Sequence, residues 1–233
     1  MTSTVSASLT RMADGAALQA VFLDMDGTLV DTEGFWWDAE VEVFADLGHR
    51  LDEAWKNVVV GGPMTRSAGY LIDVTGADIT LPELTVLLND RFEARIGRGV
   101  PLMRGAARLL AELAAHEVPT ALVSASHRRI IDRVLDSVGH HHFSLTVAGD
   151  EVSRTKPHPE PYLTAASGFG VAPERCAVIE DTATGVAAAE AAGCRVVAVP
   201  SVAPIAPASG RVVVGSLEEV DLAFLRGLVT GAR

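Results

Sequence analysis

Six residues stand where chemistry could be done. Asp24 closes the apolar run AVFL (20–23), and Asp26 follows two positions on. Ser124 closes a second run, PTALV (119–123), and Glu180 with Asp181 closes a third, CAVI (176–179). Lys156 lies in TKPHPEPY, after the run LTVA (145–148). Carboxylates gathered without compensation push one another's pKa values up and destabilise the site. A divalent cation removes that conflict. One or two carboxylates, hard oxygen ligands and a substrate phosphate describe a Mg2+ site.

The elements that must position these residues follow from the same runs. Two further runs, RVVAV (195–199) and RVVV (211–214), complete a set of six. Runs this short and this apolar fit strands buried on both faces of a parallel sheet. Ala-, Leu- and Glu-rich stretches at 104–116, 127–138, 159–169, 182–192 and 217–229 carry helical spacing between them. Alternating strand and helix predicts an α/β fold, a doubly wound parallel sheet. Ligands of such sheets bind at the carboxyl ends of the strands, so the six residues are expected to converge on one rim.

One segment breaks the alternation. EGFWWDAEVEVFADLG, TRSAGYLIDVTG and LPELTVLLNDRFEARIG read as helices closed by Gly48, Gly76 and Gly97, with Pro82 near the start of the third. The one strand-like run there is VVV at 58–60. The expected organisation is an N-terminal tail at 1–18, a core from 19–33 and 99–233, and an inserted helical cap at 34–98.

Composition narrows the function. The 233 residues are 48% hydrophobic, enough for a full core. A net charge of -11 argues against tracking a nucleic-acid backbone. No apolar run reaches the length of a membrane span, and the N-terminus lacks a signal-peptide pattern. Cys176 and Cys194 both adjoin apolar runs and are expected to be reduced, buried thiols in a cytoplasmic protein. The expected assembly is a monomer or homodimer.

DMDGTLVDTE, LVSAS, TKPHPEPY and VIEDTATGVAAAEAAG together resemble the four motifs of the haloacid dehalogenase-like (HAD) phosphotransferases, in that family's order. Asp24 and Ser124 are 100 residues apart, with 32 more to Lys156 and 25 more to Asp181. The resemblance implies a Rossmann-like core and assigns roles. Asp24 would be the nucleophile that becomes an aspartyl-phosphate, and Asp26 the general acid and base. Mg2+ would be held by the Asp24 carboxylate, the Asp26 main-chain carbonyl and Asp181, with Glu180 ligating or close by. Ser124 and the backbone near Ala125 would hold phosphoryl oxygens, and Lys156 would neutralise charge on the phosphoryl group and nucleophile. Competing readings are turn chemistry for Asp24 and Asp26, helix capping for Ser124 and Asp181, and a solvated loop for Lys156.

An insertion between the first two motifs is similar to the helical cap of the subclass that contains β-phosphoglucomutase and phosphoglycolate phosphatase. A cap that closes over the site implies a small phosphorylated metabolite, a sugar phosphate above all, as substrate. The alternatives are a mutase-like phosphotransferase and a non-catalytic binding module. Trp36 stands where the mutase has a cap histidine, and Thr65, next to Arg66, stands near its phosphate-binding arginine. Both departures favour hydrolysis. Trp36 is the candidate cap contact to substrate. Trp36 and Trp37 are adjacent on a helix, so at most one of them is expected to face the site.

Overall fold

The computed structural model describes residues 17–59 and 64–231, apart from the side chains of residues 57, 64 and 65. Six strands form one sheet: β1 Ala20–Leu23, β2 Thr120–Val123, β3 Leu145–Val147, β4 Cys176–Glu180, β5 Arg195–Ala198 and β6 Arg211–Val213. Their order is β3-β2-β1-β4-β5-β6 and every pairing is parallel. The chain lays strands outward from β1 on one side, then returns to β1's other side with β4. The switch point therefore lies between β1 and β4, where such sheets place their ligands.

Strand side chains alternate between two buried layers. Val21, Leu23, Ala177, Ile179 and Val197 face one layer, with α5 (Ala106–Ala115), α6 (Arg128–Val138) and α9 (Leu222–Thr230). Ala20, Phe22, Val178 and Val196 face the other, with α7 (Glu160–Phe169) and α8 (Ala183–Ala191). Both layers exclude water, which is why the runs read as continuously apolar rather than alternating.

Between β1 and α5 the described residues form four helices: α1 (Glu33–Asp46), α2 (Glu53–Val59), α3 (Met64–Thr75) and α4 (Leu81–Ile96). They share a cluster of their own, with Trp37, Phe44, Leu71, Leu84 and Leu88 inside it. Helix α4 begins on a capping box in which Thr80 and Glu83 bond each other's backbone, followed by Pro82. It spans two cores, because Leu84 and Leu88 join the insert's cluster while Phe92 and Ile96 join a sheet layer. The chain leaves and re-enters the sheet side by side. Val30 bridges Leu102, Asp31 N donates to Pro101 O at 2.9 Å, and Met103 N donates to Leu29 O at 2.8 Å.

One sequence reading needs correction. Val58 and Val59 lie in helix α2, not in a strand, and residue 60 is outside the described residues. Three β-branched residues suit either period, and burial of Val59 in the helical cluster decides for the helix. The tail at 1–18 is described only for its last two residues. Among the described residues no helix is long and apolar enough to cross a membrane. Cys176 and Cys194 are free and buried.

Candidate active site

The register of β1 against β4 builds the centre. Leu23 pairs with Ile179, so Asp24 and Glu180 continue neighbouring strands, and Asp24 N donates to Ile179 O at 3.1 Å. Glu180 keeps the parity of Cys176 and Val178 and points towards α7. There its Oε1 accepts from Lys156 Nζ and from the Tyr162 hydroxyl, both at 2.6 Å. Asp181, one residue on, accepts instead from Ser201 Oγ at 2.5 Å and Thr28 Oγ1 at 3.2 Å. Adjacent acids thus acquire different partners because the strand ends between them.

Lys156 is almost wholly buried. Its Nζ donates to Asp24 Oδ1 at 2.6 Å, to Glu180 Oε1 and to the Val123 carbonyl at 2.8 Å. The solvated-loop reading of Lys156 is therefore wrong. Burial works against the ammonium, but the Asp24 and Glu180 carboxylates hold its pKa above the usual lysine range.

Asp26 is more open. Thr32 Oγ1 donates to its Oδ1 at 2.7 Å, and its Oδ2 accepts from Ser126 Oγ at 2.8 Å and Ser124 Oγ at 3.5 Å. Ser124 also accepts from Ser126 N at 3.0 Å, while helix α6 starts at His127 without a side-chain cap. Ser124 is thus no helix cap. Nor is Asp181: helix α8 is capped by Thr182, whose Oγ1 accepts from Gly185 N at 3.0 Å.

Asp24, Glu180 and Asp181 each bring a carboxylate oxygen within 4.8 Å of the others. Burial, then Glu180, pushes the Asp24 carboxyl up to about 7 although Lys156 pulls it down. Burial, then Asp24 and Glu180, pushes Asp181 well above the carboxylate range. Three carboxylates and one ammonium leave two negative charges to be balanced. A hard divalent cation fits this donor set in charge and in ligand type.

Two glycines make the packing possible. Gly27 has φ +77°, and a Cβ there would stand 2.2 Å from Asp181 Oδ2. At Gly185 a Cβ would meet Glu180 Oε1 at 1.8 Å.

A cleft of about 260 Å3 lies between this centre and the helical insert. Asp24, Asp26, Ser124, Ala125, Lys156 and Asp181 form its floor, and Trp36, Trp37 and Glu40 of α1 belong to its opposite wall. Both indoles edge the cleft, against the expectation that only one would. Trp36 stacks on Phe92 with ring centres 3.8 Å apart, and Trp37 is 3% exposed within the insert's core. The cleft meets the first turn of α1 over an arc wide enough for neighbours about 100° apart. Arg66 does not line it, and donates instead to the Val58 carbonyl. The Thr65 side chain lies outside the described residues.

Sequence reasoning missed Thr32, Ser126, Tyr162 and Ser201, which orient the acids, and Glu40. Ser126 carried a signal, since it follows Ser124 by two places beyond a strand end. Thr32, Tyr162 and Ser201 carried none, because the fold sets their partners, and Glu40 carried none, because only packing places it at the cleft.

A family model of haloacid dehalogenase-like hydrolases matches residues 18–193. The bifunctional riboflavin kinase/FMN phosphatase of Arabidopsis thaliana is 33% identical over 186 residues. That match covers 78% of this chain but 48% of the relative, so the chain spans about half of that protein's length. (DL)-glycerol-3-phosphatase 2 of Arabidopsis thaliana is 32% identical over 205 residues, covering 81% of this chain and 82% of that protein. The crystal structure of CbbY from Rhodobacter sphaeroides in complex with phosphate is similar with a TM-score of 0.78 at 27% identity, over 89% of this chain and 99% of that one. Motif order, sheet order and family match agree: the chain belongs to the haloacid dehalogenase-like hydrolases.

Proposed function

We propose that this chain, a phosphoric monoester hydrolase of that family, is a Mg2+-dependent phosphatase of a small phosphorylated metabolite such as a sugar phosphate. The observation that carries the reading is the Asp24 carboxylate bonded to Lys156 beside a second acid, Asp26, held on three hydroxyls in the same cleft. In this reading 19–33 and 99–233 form the catalytic core, 34–98 is the cap, and the enzyme acts in the cytoplasm as a monomer or homodimer without nucleic acid or membrane.

In the first step an Asp24 oxygen attacks phosphorus in line. The bond from phosphorus to the leaving oxygen breaks, and Asp26 gives that oxygen its proton. In the second step water attacks the phosphorus of the aspartyl-phosphate, Asp26 takes the water's proton, and phosphate leaves Asp24. Lys156, Ser124 and the backbone at Ala125 hold the phosphoryl oxygens, and fixed positive charge near them stabilises the transition state. Asp24, Asp181, the Asp26 carbonyl and Glu180 would hold Mg2+, which would balance the buried acids and phosphoryl charge when bound. Trp36 borders the leaving group.

Phosphate release from a panel of phosphorylated sugars and other metabolites, with Mg2+ and with EDTA, tests the reading. Release that needs Mg2+ is expected. No release from any ester, p-nitrophenyl phosphate included, would overturn it in favour of a binding module. Conversion of β-glucose 1-phosphate to the 6-phosphate in the presence of the bisphosphate would overturn it in favour of the mutase.

A further inference from the structure

Glu40 is a charged residue with no evident use in the chemistry. It lies on α1, 5% exposed, in the wall of the cleft opposite Asp24. No hydrogen bond or ion pair from the described residues reaches its carboxylate. Burial, then the charge on Glu33, pushes its carboxyl up to about 8. A buried carboxyl left without partners is costly, and the cost falls when a ligand supplies hydrogen-bond donors.

Beside the second acid, Glu33, the cleft near Glu40 carries neutral groups that are already partly engaged. Ser67 donates to the Val59 carbonyl at 2.7 Å, and the Asn89 amide donates to the Thr85 carbonyl at 2.9 Å. Lys56 Nζ lies 5.8 Å from the centre of the Trp37 ring, but Lys56 does not line the cleft. Lys156 is the only lysine or arginine that lines the cleft among the described residues, and it is bonded to Asp24 and Glu180. The arginines of the neighbouring helix α4 turn to the outside, Arg91 to Glu42 and Asp46, Arg95 to Asp38 and Glu42. A second anion at the far end of a substrate would meet Glu40 and Glu33, with no unpaired lysine or arginine among the described residues that line the cleft. A hydroxyl offers both a donor and an acceptor, which suits a carboxyl in either protonation state.

Resting on the phosphatase reading, we infer that Glu40 is a specificity-determining residue. It hydrogen-bonds hydroxyl groups at the far end of the leaving alcohol. The cleft therefore takes phosphate monoesters of neutral polyhydroxy alcohols and discriminates against leaving groups that carry a second anion.

The test uses three esters of similar size: glycerol 3-phosphate, 2-phosphoglycolate and phosphoethanolamine. Their leaving groups are neutral and hydroxylated, anionic and cationic. p-Nitrophenyl phosphate, which has no hydroxyl, is the reference. Wild type is expected to favour glycerol 3-phosphate over the two charged esters. Glu40→Leu should lower kcat/KM for glycerol 3-phosphate relative to p-nitrophenyl phosphate by roughly 10- to 100-fold, chiefly through KM. Glu40→Gln, which keeps shape and hydrogen bonding, should restore part of that ratio and serves if Glu40→Leu does not fold. An unchanged ratio, or an equal loss on all esters, would overturn the inference and leave the phosphatase reading standing. So would a wild-type preference for either charged ester. If wild type hydrolyses none of the four, both readings fall together.

Discussion

Lys156 Nζ lies 2.6 Å from Asp24 Oδ1 and 2.6 Å from Glu180 Oε1, so one buried ammonium ties the ends of two neighbouring strands. Removing one partner of a buried ion pair leaves the other charges uncompensated, which costs far more than the pair contributes. Lys156→Met should lower the free energy of unfolding by about 3–5 kcal/mol. Urea unfolding at pH 7.5 measures it, and a loss within error of zero would mean that Lys156 does not neutralise the pair.

Asp24→Asn should remove turnover altogether, because an amide cannot attack phosphorus. Asp26→Asn should leave the nucleophile and lose proton transfer, a loss of roughly 100-fold or more. Rapid acid quench of Asp26→Asn should separate the two steps by showing phosphate bound to protein. A near-wild-type rate in either variant would sink the assignment of roles.

Gly27→Ala should damage both fold and metal affinity. The backbone there is left-handed, and the added methyl would fall on Asp181 Oδ2. We expect a lower melting temperature and a higher Mg2+ concentration for half-maximal activity. An unaltered Mg2+ dependence would show that Asp181 has room to move.

Mg2+ should stabilise the protein more at pH 8 than at pH 5. The Asp24 carboxyl is raised from its ordinary value to about 7, and Asp181 is raised well above its own. A raised carboxyl binds its proton more tightly folded than unfolded, so stability without metal falls as pH climbs from about 4 through about 7. A cation reverses that penalty only where the acids are ionised. Melting temperatures with EDTA and with Mg2+ across this range give the difference, and a difference constant with pH would contradict the assignment of the cation to these acids.

Glu40→Gln should melt higher than wild type at pH 8.5 and alike at pH 4. The Glu40 carboxyl, raised from 4.5 to about 8, costs nothing extra below the lower value and most above the upper one. The expected gain at high pH is roughly 5 °C. Equal curves at both ends would mean that Glu40 finds a partner in solution.

Much of the site was legible along the chain. Asp24, Asp26, Ser124, Lys156, Glu180 and Asp181 stand at or just beyond the ends of apolar runs, and a parallel sheet brings such ends to one edge. All six strands fall where the runs lie, and Gly97 and Pro82 mark the ends of α4. These features are local. An apolar run, a breaker and a motif can each be recognised without knowing what lies across the fold.

The sequence by itself therefore determined the fold class, the helical stretches after β1 and the acids that gather at the cleft. Only the tertiary structure decided who meets whom. Tyr162 reaches Glu180 because Glu180 shares the parity of Cys176 and Val178, whereas Asp181 turns to Ser201. Val58 and Val59 became helical because a cluster of the insert received them. Glu40, in a helix whose exposed face is also acidic, could not be told from its neighbours until packing buried it at the cleft without a partner among the described residues. Periodicity assigns a residue to a face, but the register of strands and the packing of helices decide what that face touches.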